Sequence, residues 1–196
     1  MLCELVSRLA LREATTLHLP AGDGPIASVS DRPTDRSRSG FYRHFVPDLQ
    51  LLVLGTGPEL DAVVRLAGAL GLTVETKVPR RGDGEGELAL GRAPTSVNVD
   101  PWTAILMLFH DHEWERTLIP WALSTPAMFI GAQGGRLARE ERRAMLNTAG
   151  FSEADLARIH SPVGLIEAAR DPDTLGLSAI AQIVGEYQRT VHDCSV

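Results

Sequence analysis

LQLLVLGTGPEL, residues 49–60, is the stretch that decides the fold. Its first part, Leu49–Gly55, is a short apolar run that ends in glycine, which is typical of a strand buried on both faces. A helix is predicted directly after it over Pro58–Leu70, because proline suits the first helical turn and apolar residues recur at helical spacing. Gly71 ends that helix, and LTVET, residues 72–76, starts a second strand.

The same alternation of apolar strand and helix continues along the chain. The next predicted elements are strands over Ala104–Phe109 and Ala127–Gly131 and helices over His112–Leu123 and Leu137–Ala149. Ser152 and Asp155 form a capping box that starts a short helix, and Asp171-Pro172 starts the last one. Apolar strands that alternate with helices indicate a parallel sheet covered on both faces. With right-handed crossovers, this predicts an α/β, doubly wound, Rossmann-like domain over residues 47–190.

The segments outside this domain differ in character. Apolar residues recur at helical spacing in residues 1–19, whereas Ala21–Gly40 is rich in Gly, Pro, Ser, Asp and Arg and is predicted to be a linker. The predicted organisation is an amphipathic segment and flexible linker over residues 1–46, the α/β domain over 47–190 and a tail over 191–196.

The composition limits the classes of function. The 196 residues carry 19 Lys and Arg against 25 Asp and Glu, and this acidic balance argues against nucleic acid or an anionic membrane as the main partner. No apolar run reaches the roughly 18 residues that a membrane span needs. The N-terminus lacks the basic start of a signal peptide. Two cysteines at opposite ends, Cys3 and Cys194, argue against a disulfide framework, so we expect a cytoplasmic protein.

The turn after the first strand places glycines where a dinucleotide-binding fingerprint belongs. Gly55 permits the tight turn, and Gly57 would let the backbone approach a pyrophosphate. The third glycine of the fingerprint is missing, and Pro58 removes one N–H from the helix start. Glu59 and Asp61 already place negative charge in the first turn. Two interpretations stay open, namely contact with a nucleotide or related cofactor and a strand-to-helix turn that only needs small residues.

Two histidines follow the strand that ends at Phe109. His110 and His112 would lie at the carboxyl end of that strand, where open α/β sheets hold their ligands. They are candidates for acid–base catalysis, with His110 the stronger, and more weakly for metal binding, for which no third ligand is near in sequence. The alternative is that Asp111 caps the next helix while one histidine forms a hydrogen bond inside the crevice.

A glycine-rich turn follows the next strand along the chain. IGAQGGR, residues 130–136, carries Gly131, Gly134 and Gly135, which permit close backbone approach, and Arg136, which suits a phosphate. The alternative is an ordinary turn with a solvated arginine. The helix after it is rich in Arg and Glu at helical spacing and is predicted to be a solvated helix with i,i+4 pairs.

Four segments in this order resemble the Rossmann domain of the XdhC/CoxI family, the xanthine dehydrogenase accessory factors. They are LLVLGTGPE (51–59), LFHDH (108–112), MFIGAQGGR (128–136) and FSEADLARIHSPVGL (151–165). The last segment is the most specific of the four, and the resemblance extends from about residue 47 to residue 188.

The resemblance implies binding and protection of the molybdenum cofactor (molybdopterin), help with its sulfuration, and its delivery to a xanthine dehydrogenase-type molybdenum hydroxylase. It implies a chaperone more than a catalyst, with a molybdenum hydroxylase client and a sulfur-donor protein as a further partner. We also expect a homodimer. The predicted cofactor-binding residues are Gly55, Thr56, Gly57, His110, Asp111, Gly131, Gly135, Arg136 and His160.

The sequence departs from the family pattern in its N-terminal part. Full-length members carry an N-terminal domain with a cysteine motif, whereas about 46 residues precede the α/β domain here, so we expect a relative that consists of the Rossmann domain only. Two alternative functions stay open. One is an NAD(P)-binding oxidoreductase with a degenerate dinucleotide site that uses His110 as acid or base, and the other is a non-catalytic dimeric scaffold.

Overall fold

The computed structural model describes residues 2–20, 28–30, 40–80 and 88–195, with side chains up to residue 192. The chain divides into two compact units. The smaller comprises Met1–Asp48 together with Glu186–Val196, and the larger is Leu49–Gly185.

The smaller unit contains a helix and a three-stranded antiparallel sheet. The helix α1 is Leu2–Ala10, and the strands are β1 (Thr15–Pro20), β2 (Ser28–Ser30) and β3 (Gly40–Phe45), in the order β2-β1-β3. β1 pairs with β3 along its whole length, from Thr15 opposite Phe45 to Pro20 opposite Gly40.

This sheet corrects the prediction for the N-terminal part of the chain. The helical pattern predicted over residues 1–19 ends at Ala10, and Arg12 turns the chain with a positive φ of 61°. Within the predicted linker, Ser28–Ser30 form β2, whereas residues 21–27 and 31–39 lie outside the described residues. β1 owes its extended form to pairing with β3, a long-range contact that local hydrophobic spacing does not reveal.

The larger unit alternates strands and helices. In chain order its elements are β4 (Gln50–Gly55), α2 (Pro58–Ala69), β5 (Thr73–Lys77), β6 (Thr103–Leu108), α3 (Glu115–Leu123), β7 (Phe129–Ala132), α4 (Arg136–Thr148), α5 (Glu153–Ala157), β8 (Ile159–His160) and the first part of α6 (Pro172–Ser195). The five strands form one parallel sheet in the order β5-β4-β6-β7-β8. The predicted α/β, doubly wound, Rossmann-like fold is therefore confirmed.

Two further details of the helices bear on the predictions. The capping box of Ser152 and Asp155 is present at the start of α5. The predicted boundary at residue 190 falls inside α6, which continues to Ser195.

The strand order fixes where a ligand can bind. β4 pairs with β5 on one side and with β6 on the other, so the order reverses between β4 and β6. In open α/β sheets, the crevice outside the carboxyl ends of the strands at this switch point is where ligands bind. β6, one of the two strands at this switch point, is buried along its whole length.

Candidate functional site

The turn after β4 is shaped first by the neighbouring strand. A Cβ on Gly55 would lie 2.3 Å from the carbonyl oxygen of Leu108, the last residue of β6. The backbone N–H of Thr56 donates to that same oxygen over 3.3 Å. The close approach of β4 and β6 therefore requires glycine at position 55. Thr56, directly after β4, is exposed.

Gly57 precedes α2 and has no side chain at the switch point. It is the N-cap of α2 and has a φ of 97°, a conformation that favours glycine. A Cβ at this position would lie 3.4 Å from Oε2 of Glu59. The surface that a dinucleotide's pyrophosphate contacts in this fold is thus covered by a carboxylate of the same chain.

Glu59 and His110 bridge the switch point. Oε1 of Glu59 lies 3.5 Å from Nε2 of His110, which follows β6. The Glu59 side chain is only 15% exposed, whereas that of His110 is 70% exposed. Oε2 of Glu59 is buried and has no hydrogen-bond partner in the part of the chain that the structure describes. A carboxylate in this setting attracts hydrogen-bond donors and repels anions.

His110 also lines a cavity of about 450 Å³ between the turn after β6 and α4. The other lining groups are mixed in charge and include His112, Asp111, Glu113, Arg116 and Glu141. The Asp111 carboxylate accepts a hydrogen bond of 2.9 Å from the N–H of Glu113. Asp111 therefore closes the turn ahead of α3, which begins three residues later than the predicted helix.

A buried ion pair forms the base of this cavity. Nε and Nη2 of Arg142 donate to the two carboxylate oxygens of Glu115 over 2.5 and 2.6 Å. The same guanidinium donates to Oγ of Ser161 over 2.6 Å and to the carbonyl oxygen of Gln133. Nδ1 of His112 lies 3.2 Å from Oε2 of Glu115, without the alignment of a hydrogen bond. One arginine thus connects α3 to the segments that follow β7 and β8.

The N-terminus of α4 forms a second part of the crevice. A cavity of about 240 Å³ is lined here by Gln133, Gly134, Gly135 and residues of the segment after β8, Pro162 and Ile166 among them. The first turn of α4 contains no acidic residue, in contrast to α2. Arg136 projects into solvent, 91% exposed, with Glu140 its neighbour at 3.8 Å.

Gln133 lines this second cavity and also has an unusual buried acceptor. Its Oε1 is buried, and none of the described residues donates a hydrogen bond to it. Buried polar atoms usually have a partner, so such an atom is a candidate for contact with a ligand.

Gly131 and His160, both predicted to bind a cofactor, lie within the packing of the sheet. A Cβ on Gly131 would lie 2.7 Å from the Phe129 ring and 2.8 Å from Val163. The His160 ring stacks on Phe129 with 4.2 Å between centroids, and its Nδ1 lies 3.1 Å from Nε2 of Gln182. These contacts account for both residues through packing.

The carboxyl edge of the sheet therefore brings together part of the predicted site. The turn with Gly57, the segment with His110 and Asp111, and the turn with Gly135 and Arg136 each follow a strand of the same parallel sheet. Among the described residues, no group of three or more His, Cys, Asp or Glu side chains is placed to hold a metal ion. No helix in the described ranges is long and apolar enough to cross a membrane.

Three residues of the candidate site were not predicted from the sequence. Glu115 and Gln133 gave no distinctive local signal. Arg142 corrects the prediction that α4 is solvated throughout, because its side chain is only 4% exposed. A signal was available, since Ala138, Arg142 and Leu146, the buried residues of α4, recur every four residues.

A family model and a curated protein both match most of this chain. The family model described as the XdhC Rossmann domain matches residues 51–183. The chain is 27% identical over 183 residues to the molybdenum cofactor insertion chaperone PaoD of Escherichia coli (strain K12), covering 93% of this chain and 54% of the relative. This chain therefore spans about half the length of that curated relative.

A solved structure is similar in fold. It is described as a xanthine dehydrogenase from Bacillus halodurans and matches with a TM-score of 0.65 and 16% sequence identity, over 95% of this chain and 63% of the other. At this identity, the similarity establishes the fold alone.

Proposed function

This chain belongs to the XdhC family, and on that premise we propose that it is an accessory protein that binds the molybdenum cofactor and delivers it to a molybdenum hydroxylase. The observation that carries the proposal is the extent of the family match. Residues 51–183 include every segment that forms the carboxyl edge of the sheet. The similarity to a curated cofactor insertion chaperone supports the same function.

The crevice fits a pterin cofactor that carries a phosphate. The start of α4 offers backbone N–H groups, two glycines that permit close approach, Arg136, and no carboxylate in the first turn. Gln133 lines the cavity beside this helix start, and its amide group is of the kind that would form hydrogen bonds with the heterocycle. The phosphate would therefore lie at α4, with the ring system toward Gln133.

The proposed role requires binding and shielding by this chain and no chemical step of its own. The bound cofactor would supply the molybdenum centre that the client enzyme uses. Gln133, Gly135 and Arg136 would hold it, and the exposed rim of the crevice would leave it open to the client and to a sulfur-donor protein. We infer an accessory protein rather than an enzyme.

The proposal is tested by titrating the purified chain with molybdenum cofactor released anaerobically from a molybdenum enzyme, with the retained cofactor measured after ultrafiltration. We expect binding by the wild type and a loss of roughly 1–3 kcal/mol in Arg136→Ala, because a charge-assisted bond to the phosphate is removed. Arg139→Ala is the matched control, since Arg139 is also exposed on α4. A folded wild type that retains no cofactor would contradict the proposal.

A further inference from the structure

The switch point of this sheet has the backbone of a dinucleotide site but not its electrostatics. Gly57 has the positive φ and the bare surface that a pyrophosphate contacts in dinucleotide-binding domains. The carboxylate of Glu59 covers that surface, with its Oε2 3.4 Å from where a Cβ of Gly57 would lie. The carboxylate of Glu59 thus lies where the negatively charged pyrophosphate of a dinucleotide would bind.

Burial strengthens this effect. Glu59 is largely removed from solvent, and Oε2 finds no hydrogen-bond donor among the residues that the structure describes. An incoming phosphate would meet a like charge in a place where water screens it poorly, and displacement of the carboxylate would break its contact with His110.

From this juxtaposition we propose that Glu59 is a specificity-determining residue that excludes dinucleotides from the switch point. The carboxylate places a negative charge in the first turn of α2, where it interacts favourably with the helix dipole. The first turn of α4 has no acidic residue and is therefore the helix start left open to a ligand's phosphate. The inference goes beyond the proposed function, since it states what the crevice rejects and holds whichever anionic ligand binds at α4.

The test is calorimetric titration of the folded full chain with ADP-ribose, which carries the pyrophosphate without the nicotinamide. The wild type should bind weakly, and Glu59→Gln should bind at least about tenfold more tightly, because the amide keeps the shape and removes the charge. Adenosine, which has no phosphate, should show no gain with any variant.

Two matched variants separate this explanation from others. Asp61→Asn removes an exposed carboxylate from the same helical turn and should bind ADP-ribose as the wild type does. His110→Ala breaks the bridge but keeps the Glu59 carboxylate, so its gain should be smaller than that of Glu59→Gln. Glu59→Ala serves as a second removal of the charge, to be titrated if the glutamine variant does not fold.

Three results would overturn the proposal. They are tight binding of ADP-ribose by the wild type, no gain in a folded Glu59 variant, and an equal gain in Asp61→Asn or His110→Ala. Retention of molybdenum cofactor by Glu59→Gln is measured separately, so failure of this inference leaves the proposed function to be judged on its own assay.

Discussion

Arg142 and Glu115 form a two-bond ion pair between α4 and α3, with donor–acceptor distances of 2.5 and 2.6 Å. Both side chains are almost fully buried, and Glu115 is only 1% exposed. A buried pair of this kind contributes little net stability by itself, because its formation removes two charges from water. Breaking it is costly, because the remaining charge is left without its partner.

We therefore expect Arg142→Met to lower the free energy of unfolding by about 3–5 kcal/mol, measured by urea denaturation. Arg139→Met, an exposed change on the same helix, should alter it by less than about 0.5 kcal/mol. The double variant Arg142→Met with Glu115→Leu should recover most of the loss, since no buried charge then remains. Equal stability of Arg142→Met and wild type would show that the pair is not buried in solution.

Gly55 provides a test of the close approach between β4 and β6. A methyl group would meet the Leu108 carbonyl at 2.3 Å, so Gly55→Ala should lower the free energy of unfolding by about 2–4 kcal/mol. Gly68→Ala is the control, because Gly68 lies in α2 with open space around its Cα and the change should raise stability by about 0.5–1 kcal/mol. Similar effects of the two changes would contradict the strand contact.

Gln133 should separate ligand binding from stability. Because its Oε1 is buried without a donor in the described structure, Gln133→Leu removes an unsatisfied atom and should leave the free energy of unfolding within about 1 kcal/mol of wild type or above it. The same change should weaken retention of molybdenum cofactor. A loss of stability without a loss of retention would assign Gln133 a structural role.

His44 should make the smaller unit sensitive to pH. Burial lowers the pKa of its imidazole below the usual value of 6.5, so the unfolded chain takes up a proton first as the pH falls. The neutral His44 imidazole therefore makes its full contribution to the free energy of unfolding above about pH 6.5, and this contribution is lost as the pH falls through the lowered pKa. Urea denaturation between pH 7.5 and pH 5 should show this decline, and His44→Gln should reduce it. An unchanged slope in His44→Gln would rule out this origin.

Local patterns predicted the parts of the fold that depend on local chemistry. The apolar runs of β4 and β6 and the capping box at Ser152 each reflect residues that are neighbours in the chain. The pairing of β1 with β3 depends on residues about 25 positions apart, so hydrophobic spacing predicted a longer helix and a linker instead.

For the site, the sequence likewise predicted which segments lie together but not the contacts between their side chains. The placement of Gly57 and His110 at one edge follows from strand polarity, which the alternation of elements implies. The contact of Glu59 with His110 and the burial of Arg142 depend on side-chain positions across separate elements, and no local pattern encodes those. Gly131 matched a ligand-binding pattern, yet the Phe129 ring and Val163 require a small residue there.

The hydrogen bonds of Arg142 affect how a bound ligand would leave the crevice. Its guanidinium connects α3 with the segments after β7 and β8, and none of the three can shift alone without loss of a hydrogen bond to Arg142. Such a crevice is preorganised, so a ligand does not bear the entropy of ordering these segments on arrival. Opening one of these segments to release a ligand would break a hydrogen bond of Arg142. Under the proposed function, the cofactor would then leave by transfer to a client enzyme that binds it more tightly.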